Sequence, residues 1–360
     1  MTPAMNEEPD IRIGLVGYGW GGRYFHAPVI EAAAGAVLAG VVTTSAARRA
    51  DLAIEHPGVR AHDSLDSLVA SGIDVLVLSV PAPGRENLVR EALGSCAVVI
   101  LDKPFAMDAG QARELAAYAE VSGARLGVYQ NRRWDTNIAT LGAVLAEGRL
   151  GPAHSLESVF DQNEPRSVES ASSGGALLDL GSHLVDQALW LFGPVDNVAA
   201  GMTWTPTSWG INDSAFTMRL DHASGVTSWL SANKLAEQGQ RLLRVQGAEG
   251  QLTIRGNDIQ AEALLEGRRP ADSHANWGFD PVEATLAIGG RTAGVASAQG
   301  RYHAYYELLV DSVRYQTPLP VCACEAVACV QVLDAARLSA TLGGTEVPVP
   351  KAKNEPCPQC

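Results

Sequence analysis

This sequence predicts an α/β protein in two parts. Residues 11–130 read as a doubly wound parallel sheet, and residues 131–348 as a second α/β unit with a large, mostly antiparallel open sheet. Three observations predict it. In the first third, short apolar runs alternate with helix-like segments, the pattern of parallel strands joined by right-handed crossovers. After about Arg133 the pattern changes to alternating runs separated by glycine-containing turns, which suits antiparallel strands covered on one face. The length, 360 residues, fits two domains better than one.

The first strand is the apolar run Ile11-Arg12-Ile13-Gly14-Leu15-Val16, and Gly17-Tyr18-Gly19-Trp20-Gly21-Gly22 completes G-x-G-x-x-G after it. In this pattern the first glycine permits the tight turn, and the second removes a side chain where a pyrophosphate approaches. The third lets the next helix pack against the strand. A helix over Tyr24–Ala34 and a strand over Val37–Val42 give a β-α-β unit of the required length. That context points to dinucleotide binding, with the phosphates facing the helix N-terminus; the glycines alone also fit a purely structural turn. Strands follow at Asp74–Val80, Ala97–Leu101 and Leu126–Tyr129, with helices at Asn87–Gly94 and Ala109–Ser122. Ligands belong at the carboxyl ends of such strands, where Pro81 falls.

In the second part, a helix over Ile138–Glu147 precedes Gly151-Pro152, and a longer helix spans His183–Phe192. Alternation then marks Ser214–Leu220, Val226–Ala232, Leu242–Gln246 and Gln251–Ile254. Arg268–Gly300 reads as irregular, and helices over Tyr302–Tyr315 and Glu325–Thr341 close the fold. Residues 1–10 and 349–360 read as flexible tails. An open sheet face predicts a homodimer or homotetramer.

Formal net charge is −13, which argues against nucleic acid and anionic membranes as partners. No apolar stretch is long enough to span a bilayer, and Met1–Asp10 is too polar and acidic for a signal peptide, so a cytoplasmic location is expected. The six cysteines make no disulfide framework. Cys96 precedes an apolar strand and reads as buried. Cys357 and Cys360 form C-x-x-C on a Pro-rich tail, read as reactive thiols. No second such pair exists to complete a zinc site, and no metal is expected.

Four stretches carry chemistry. Asp102-Lys103-Pro104 follows the Ala97–Leu101 strand, so the Lys103 ammonium can hydrogen-bond a substrate oxygen and favour negative charge on it. A surface lysine fits the same position. Within Gly174–Asp186, the residues Asp179, His183 and Asp186 share one face if helix begins by Asp179. His183 then suits a general base oriented by a carboxylate. The competing reading is capping of the next helix by Ser182 or Asp179. Thr43-Thr44-Ser45 ends the second strand with no acid before Asp51, and Arg48 and Arg49 lie close behind. Hydroxyls plus a guanidinium suit a ribose 2′-phosphate, hence NADP over NAD, although both arginines also fit a solvated helix face. Val128–Asp135 gathers polar and aromatic groups at a strand end, suited to a polyol; Arg133 and Asp135 read rather as glue at the domain junction.

Together these residues resemble the glucose–fructose oxidoreductase/inositol dehydrogenase family (Gfo/Idh/MocA). The likeness covers Ile11 to about Pro348 and rests on the glycine loop, Asp102-Lys103-Pro104 in place of Glu-Lys-Pro, and Asp179-Leu180-Gly181-Ser182-His183. Phe25-His26-Ala27-Pro28, Tyr129–Asp135, Glu266–Pro270 and Trp277-Gly278 bring it nearer to NADP-dependent scyllo-inositol dehydrogenases. The resemblance implies a Rossmann domain, a substrate and oligomerisation domain, and hydride transfer between nicotinamide and a hydroxyl-bearing carbon of a sugar or cyclitol. It implies catalytic roles for Lys103, His183 and Asp179. It places the cofactor, NADP or else NAD, against Gly17, Tyr18, Gly19, Trp20, Gly22, Thr43, Thr44, Ser45, Arg48, Pro81, Asp102, Lys103 and Asn131. It places the substrate against Lys103, Arg132, Trp134, Phe160, Asp179 and His183. Glycoside hydrolysis with transient use of NAD(H), and a non-catalytic NADP-binding sensor, are the other outcomes such a chain allows. Three departures stand out: Asp102 for Glu, Arg85 where members often carry His, and Phe160–Pro165 in place of an Arg- and Tyr-rich segment. The last makes a neutral polyol or sugar other than inositol plausible.

Overall fold

The computed structural model describes residues 9–169, 174–256 and 258–350. Its first sheet has six strands, β1 (Ile11–Val16), β2 (Ala36–Val42), β3 (Arg60–His62), β4 (Val75–Leu78), β5 (Val98–Asp102) and β6 (Arg125–Tyr129). They lie in the order β3-β2-β1-β4-β5-β6, and every pairing is parallel. Val75–Leu78 and Val98–Leu101 are fully buried, as strands covered on both faces require. Helices α1 (Ala27–Glu31), α2 (Ala46–Glu55), α3 (Leu65–Val69), α4 (Glu86–Ser95) and α5 (Ala109–Ser122) supply the crossovers. The strand order reverses between β1 and β4, and the crevice at their carboxyl ends is where this topology seats a ligand.

The second sheet has nine strands: β7 (Ala153–Asn163), β8 (Val195–Thr207), β9 (Gly210–His222), β10 (Thr227–Asn233), β11 (Leu235–Gly247), β12 (Gly250–Arg255), β13 (Ala284–Ile288), β14 (Arg291–Val295) and β15 (Val347–Pro348). Their order is β14-β13-β12-β11-β7-β10-β9-β8-β15, antiparallel except for the β7–β10 pair. One face packs against α6 (Thr136–Ala146), α8 (Ser182–Phe192) and α11 (Ala323–Thr341), through Leu141, Val185 and Leu333 among others. Trp204, Trp229 and Ile211 stand exposed on the sheet. The short α7 (Pro165–Val168) and α9 (Ile259–Leu265) sit in its connections. Although α10 (Ala304–Tyr315) comes late in the chain, Tyr305, Tyr306 and Leu309 complete the core of the first sheet. Val321 accepts from the Val128 N–H and so closes the β6 edge.

Several expectations are corrected. The helix after the glycine loop starts at Gly21 with a π-helical turn and stops at Glu31, because the helix must begin within the loop to offer its N–H groups. Residues 268–300 hold the β13–β14 hairpin, turned by Gly289-Gly290 at positive φ. Strand β7 was missed: its few apolar residues alternate with polar ones, and Leu156, Ser158 and Phe160 face inward. Cys96 is half-buried rather than buried. The tails 1–8 and 351–360 with Cys357 and Cys360, and the serine stretch at 170–173, lie outside the described residues. No helix among the described residues is long and apolar enough to cross a membrane.

Candidate active site

The glycine loop turns at the end of β1. Gly17 has φ +98°, and a Cβ there would lie 2.2 Å from the Ser79 carbonyl oxygen; a Cβ at Gly22 would lie 2.0 Å from that of Gly17. Both positions exclude a side chain. Gly19 differs: only the Arg48 guanidinium, 3.9–4.0 Å away, would meet its Cβ. That open space leaves the room a pyrophosphate needs to approach the backbone. Trp20 is exposed beside it. Tyr18 contributes backbone only, because its ring is buried and its hydroxyl donates to Glu55 at 2.7 Å.

At the end of β2, Thr43 is buried, Thr44 is exposed, and the Ser45 hydroxyl caps α2 by accepting from the Arg48 N–H. Arg49 is committed to Asp63 and to the His62 carbonyl. The acids of α2, Asp51 and Glu55, are held by Arg23. Arg48 makes no ion pair among the described residues and stays exposed. Pro81 is exposed at the end of β4. These residues leave room for a dinucleotide, and among the described residues no carboxylate is bound to Arg48.

Asp102, at the end of β5, accepts from the Ser79 hydroxyl at 2.9 Å and lies 3.3 Å from His26 Nε2. Burial would raise its carboxyl, but His26, Lys103 and Ser79 outweigh that and hold it low. It therefore ties the glycine loop to β4 and β5. Lys103 follows, and its Nζ reaches across to Asp179 Oδ1 at 2.5 Å. Lys234, fully buried where β10 turns into β11, donates to the other oxygen, Oδ2, at 2.7 Å. Sequence reasoning missed Lys234. The signal was present, since it is a charge closing the alternating run Val226–Ala232. Burial would raise the Asp179 carboxyl; the two ammoniums reverse that and hold it far below the ordinary carboxylate range. Asp179 sits in a π-helical turn, Leu177–Gly181, that runs directly into α8. Ser182 and Asp179 are thus not caps.

His183 lies one turn further on, buried, with Nδ1 unpartnered. Burial pushes its imidazole well below the ordinary histidine range, and the charges of Lys103, Arg132 and Arg241 push the same way. It is neutral at physiological pH. Asp186 does not share its role: it turns away to bind Arg133 through two bonds, 2.7 and 2.9 Å long. Arg133 also bonds Glu325. Arg133 therefore pairs with Asp186, and it is Arg132 that reaches Asp135.

Arg132 does not offer its charge to a substrate. It is spent on Asp258 and on Asp135 at 3.4 Å, while Arg241 holds Asp135 at 3.3 Å. Phe160 is buried between these two guanidiniums, which stack on its ring at 5.0 and 3.7 Å. The Trp134 ring packs edge-on against Tyr305 in the first core, and Asn131 is buried at the end of β6. Of the substrate residues expected, the structure brings together Lys103, Asp179 and His183, with Arg132 stacked on Phe160 nearby, whereas Trp134 packs into the first core. Among the described residues no group of three His, Cys, Asp or Glu is placed to hold a metal ion.

Comparison with known proteins identifies the family. Residues 11–130 match the oxidoreductase family with an NAD-binding Rossmann fold, and residues 138–253 match the GFO/IDH/MocA C-terminal domain. The uncharacterized oxidoreductase YdgJ of Escherichia coli is 30% identical over 90% of this chain and 95% of its own. The NADP-dependent scyllo-inositol 2-dehydrogenase IolW of Bacillus subtilis is 26% identical over 91% and 92%. A crystal structure of an oxidoreductase from Klebsiella pneumoniae superposes with a TM-score of 0.84 at 31% identity, covering 96% of this chain and 97% of the other.

Proposed function

Since the chain belongs to the GFO/IDH/MocA oxidoreductase family, we propose that it is an NADP-preferring dehydrogenase acting on a hydroxyl-bearing carbon of a neutral sugar or cyclitol. The observation that carries this reading is the meeting of Lys103 with Asp179, 76 positions apart in sequence, beside His183. When bound, the nicotinamide supplies the hydride acceptor. The protein does the rest: it orients the substrate carbon and manages its proton. Lys103 donates a hydrogen bond to the reacting oxygen, and Asp179 accepts from a neighbouring hydroxyl. His183, neutral and with Nδ1 enclosed, takes the hydroxyl proton on Nε2. The cations around it make the imidazolium costly, so the proton passes on to solvent.

Charge supports a neutral substrate. Lys103 and Lys234 are bound to Asp179, and Arg132 to Asp258 and Asp135, so none of these three waits for a phosphate or carboxylate, while Arg241 holds Asp135 through Nη2 and leaves only Nη1 without a partner. Free Arg48 and the lack of an acid after β2 support NADP, the cofactor IolW's name gives. The exposed tryptophans of the second sheet support a homodimer or homotetramer formed through that face.

The test is NADP⁺ reduction across cyclitols, neutral aldoses and their phosphates, scyllo-inositol included. Turnover of a neutral polyol is expected, faster with NADP⁺ than with NAD⁺. Sugar release without net redox change, or coenzyme binding with no turnover of any member, overturns the reading.

A further inference from the structure

Arg85 is 4% exposed, and among the described residues no carboxylate is bound to its guanidinium. Instead Nη1 donates to the Val80 carbonyl at 3.1 Å, and the two N–H groups of Nη2 are shared among the carbonyls of Asp102 at 3.0 Å, Pro104 at 2.5 Å and Phe105 at 3.0 Å. Val80 follows β4, and the other three bracket Lys103 at the end of β5. Burying a cation against dipoles alone is costly. The planar guanidinium, however, holds two nitrogens in fixed directions, so Nη1 reaches the end of β4 while Nη2 reaches the loop around Lys103; an ammonium has only one nitrogen to place. Asp102 fixes the opposite side of the same loop through Ser79 and His26. Lys103 thus leaves a backbone pinned from both sides.

We propose that Arg85 is a positioning residue: by clasping the carbonyls around Lys103 it fixes the direction in which the Lys103 amine is presented to Asp179 and the substrate. The inference rests on the catalytic reading of Lys103, but its test does not. The chain has four lysines, Lys103, Lys234, Lys351 and Lys353. Trace acylation with acetic anhydride, resolved by peptide mass spectrometry, therefore reads each amine separately.

In Arg85→Gln and Arg85→Met, Lys103 should label at least about fivefold faster relative to Lys351 and Lys353, the factor given by ~1 kcal/mol of local opening. Lys234 should stay protected, because the second sheet is untouched; general loosening would expose both. Guanidinium chloride at tens of millimolar should return Lys103 labelling toward the wild-type rate in Arg85→Ala. Should these variants fail to fold, Arg85→Lys, which keeps the charge but not the fork, decides by the same ratio. Unchanged Lys103 labelling in a folded variant, or Lys103 and Lys234 rising together, overturns the proposal. Failure of the catalytic reading shows separately, as full turnover by Lys103→Met.

Discussion

Asp179→Asn tests the site most directly, because it removes one charge from between two. At 2.7 Å and an effective dielectric of about 20, the Lys234–Asp179 attraction is ~6 kcal/mol before desolvation is counted. Lys234 is fully buried, so the asparagine variant leaves an ammonium with no counter-charge. Removing one partner of such a pair costs ~3–5 kcal/mol. Lys103, partly exposed, loses less. The variant should therefore unfold roughly 5–15 °C below the wild type in a thermal melt at neutral pH. Asp179→Asn combined with Lys234→Met leaves no orphaned charge and should recover at least ~1.5 kcal/mol relative to the asparagine variant. The pH dependence follows from the sign of the shift. The folded-state carboxyl titrates below its unfolded value, so its stabilisation is complete above the ordinary carboxylate pKa of ~4 and fades as pH falls further. The gap between wild type and Asp179→Asn should narrow from about pH 4 downward. An asparagine variant as stable as wild type at neutral pH, or a double variant that is simply additive, would refute the two-lysine bridge.

Four further outcomes are expected. Lys103→Met should lower kcat by roughly 10³-fold or more while isothermal titration shows coenzyme affinity changed less than about threefold. Arg48→Ala should weaken NADP⁺ binding by roughly 10–100-fold and leave NAD⁺ nearly unaffected, read by coenzyme titration. Gly22→Ala places a methyl 2.0 Å from the Gly17 carbonyl oxygen and should abolish coenzyme-induced thermal stabilisation or prevent folding outright. Arg133→Met leaves Asp186 buried without its cation and should destabilise by ~3–5 kcal/mol in urea titration, whereas Arg133→Met with Asp186→Leu should regain part of that.

The division between local and distant information explains which parts of this protein were legible. Strand and helix periodicity are local, so the parallel sheet from Ile11 to Tyr129, the glycine loop and the closing helices could be read directly. Lys103 and His183 could be singled out as candidates because each stands at a position local pattern can mark: the end of a buried strand, and the start of an amphipathic helix. Strand β7 escaped because Ser158 interrupts its inward face, and a sheet strand is defined by its partners more than by its own composition. Partner choice escaped for the same reason. Arg132, Arg133 and Asp135 are all charged and lie within four positions, and nothing in their spacing says that Arg133 takes the distant Asp186 while Arg132 takes Asp258. Lys234 meets Asp179 across 55 positions, and only the packing of a β10–β11 turn against a π-helical turn makes one carboxylate serve two ammoniums. The chain's residues determined what kinds of groups were available and on which elements; the fold decided which charges cancel, because Coulomb energy in a buried site depends on separations that one-dimensional order does not contain.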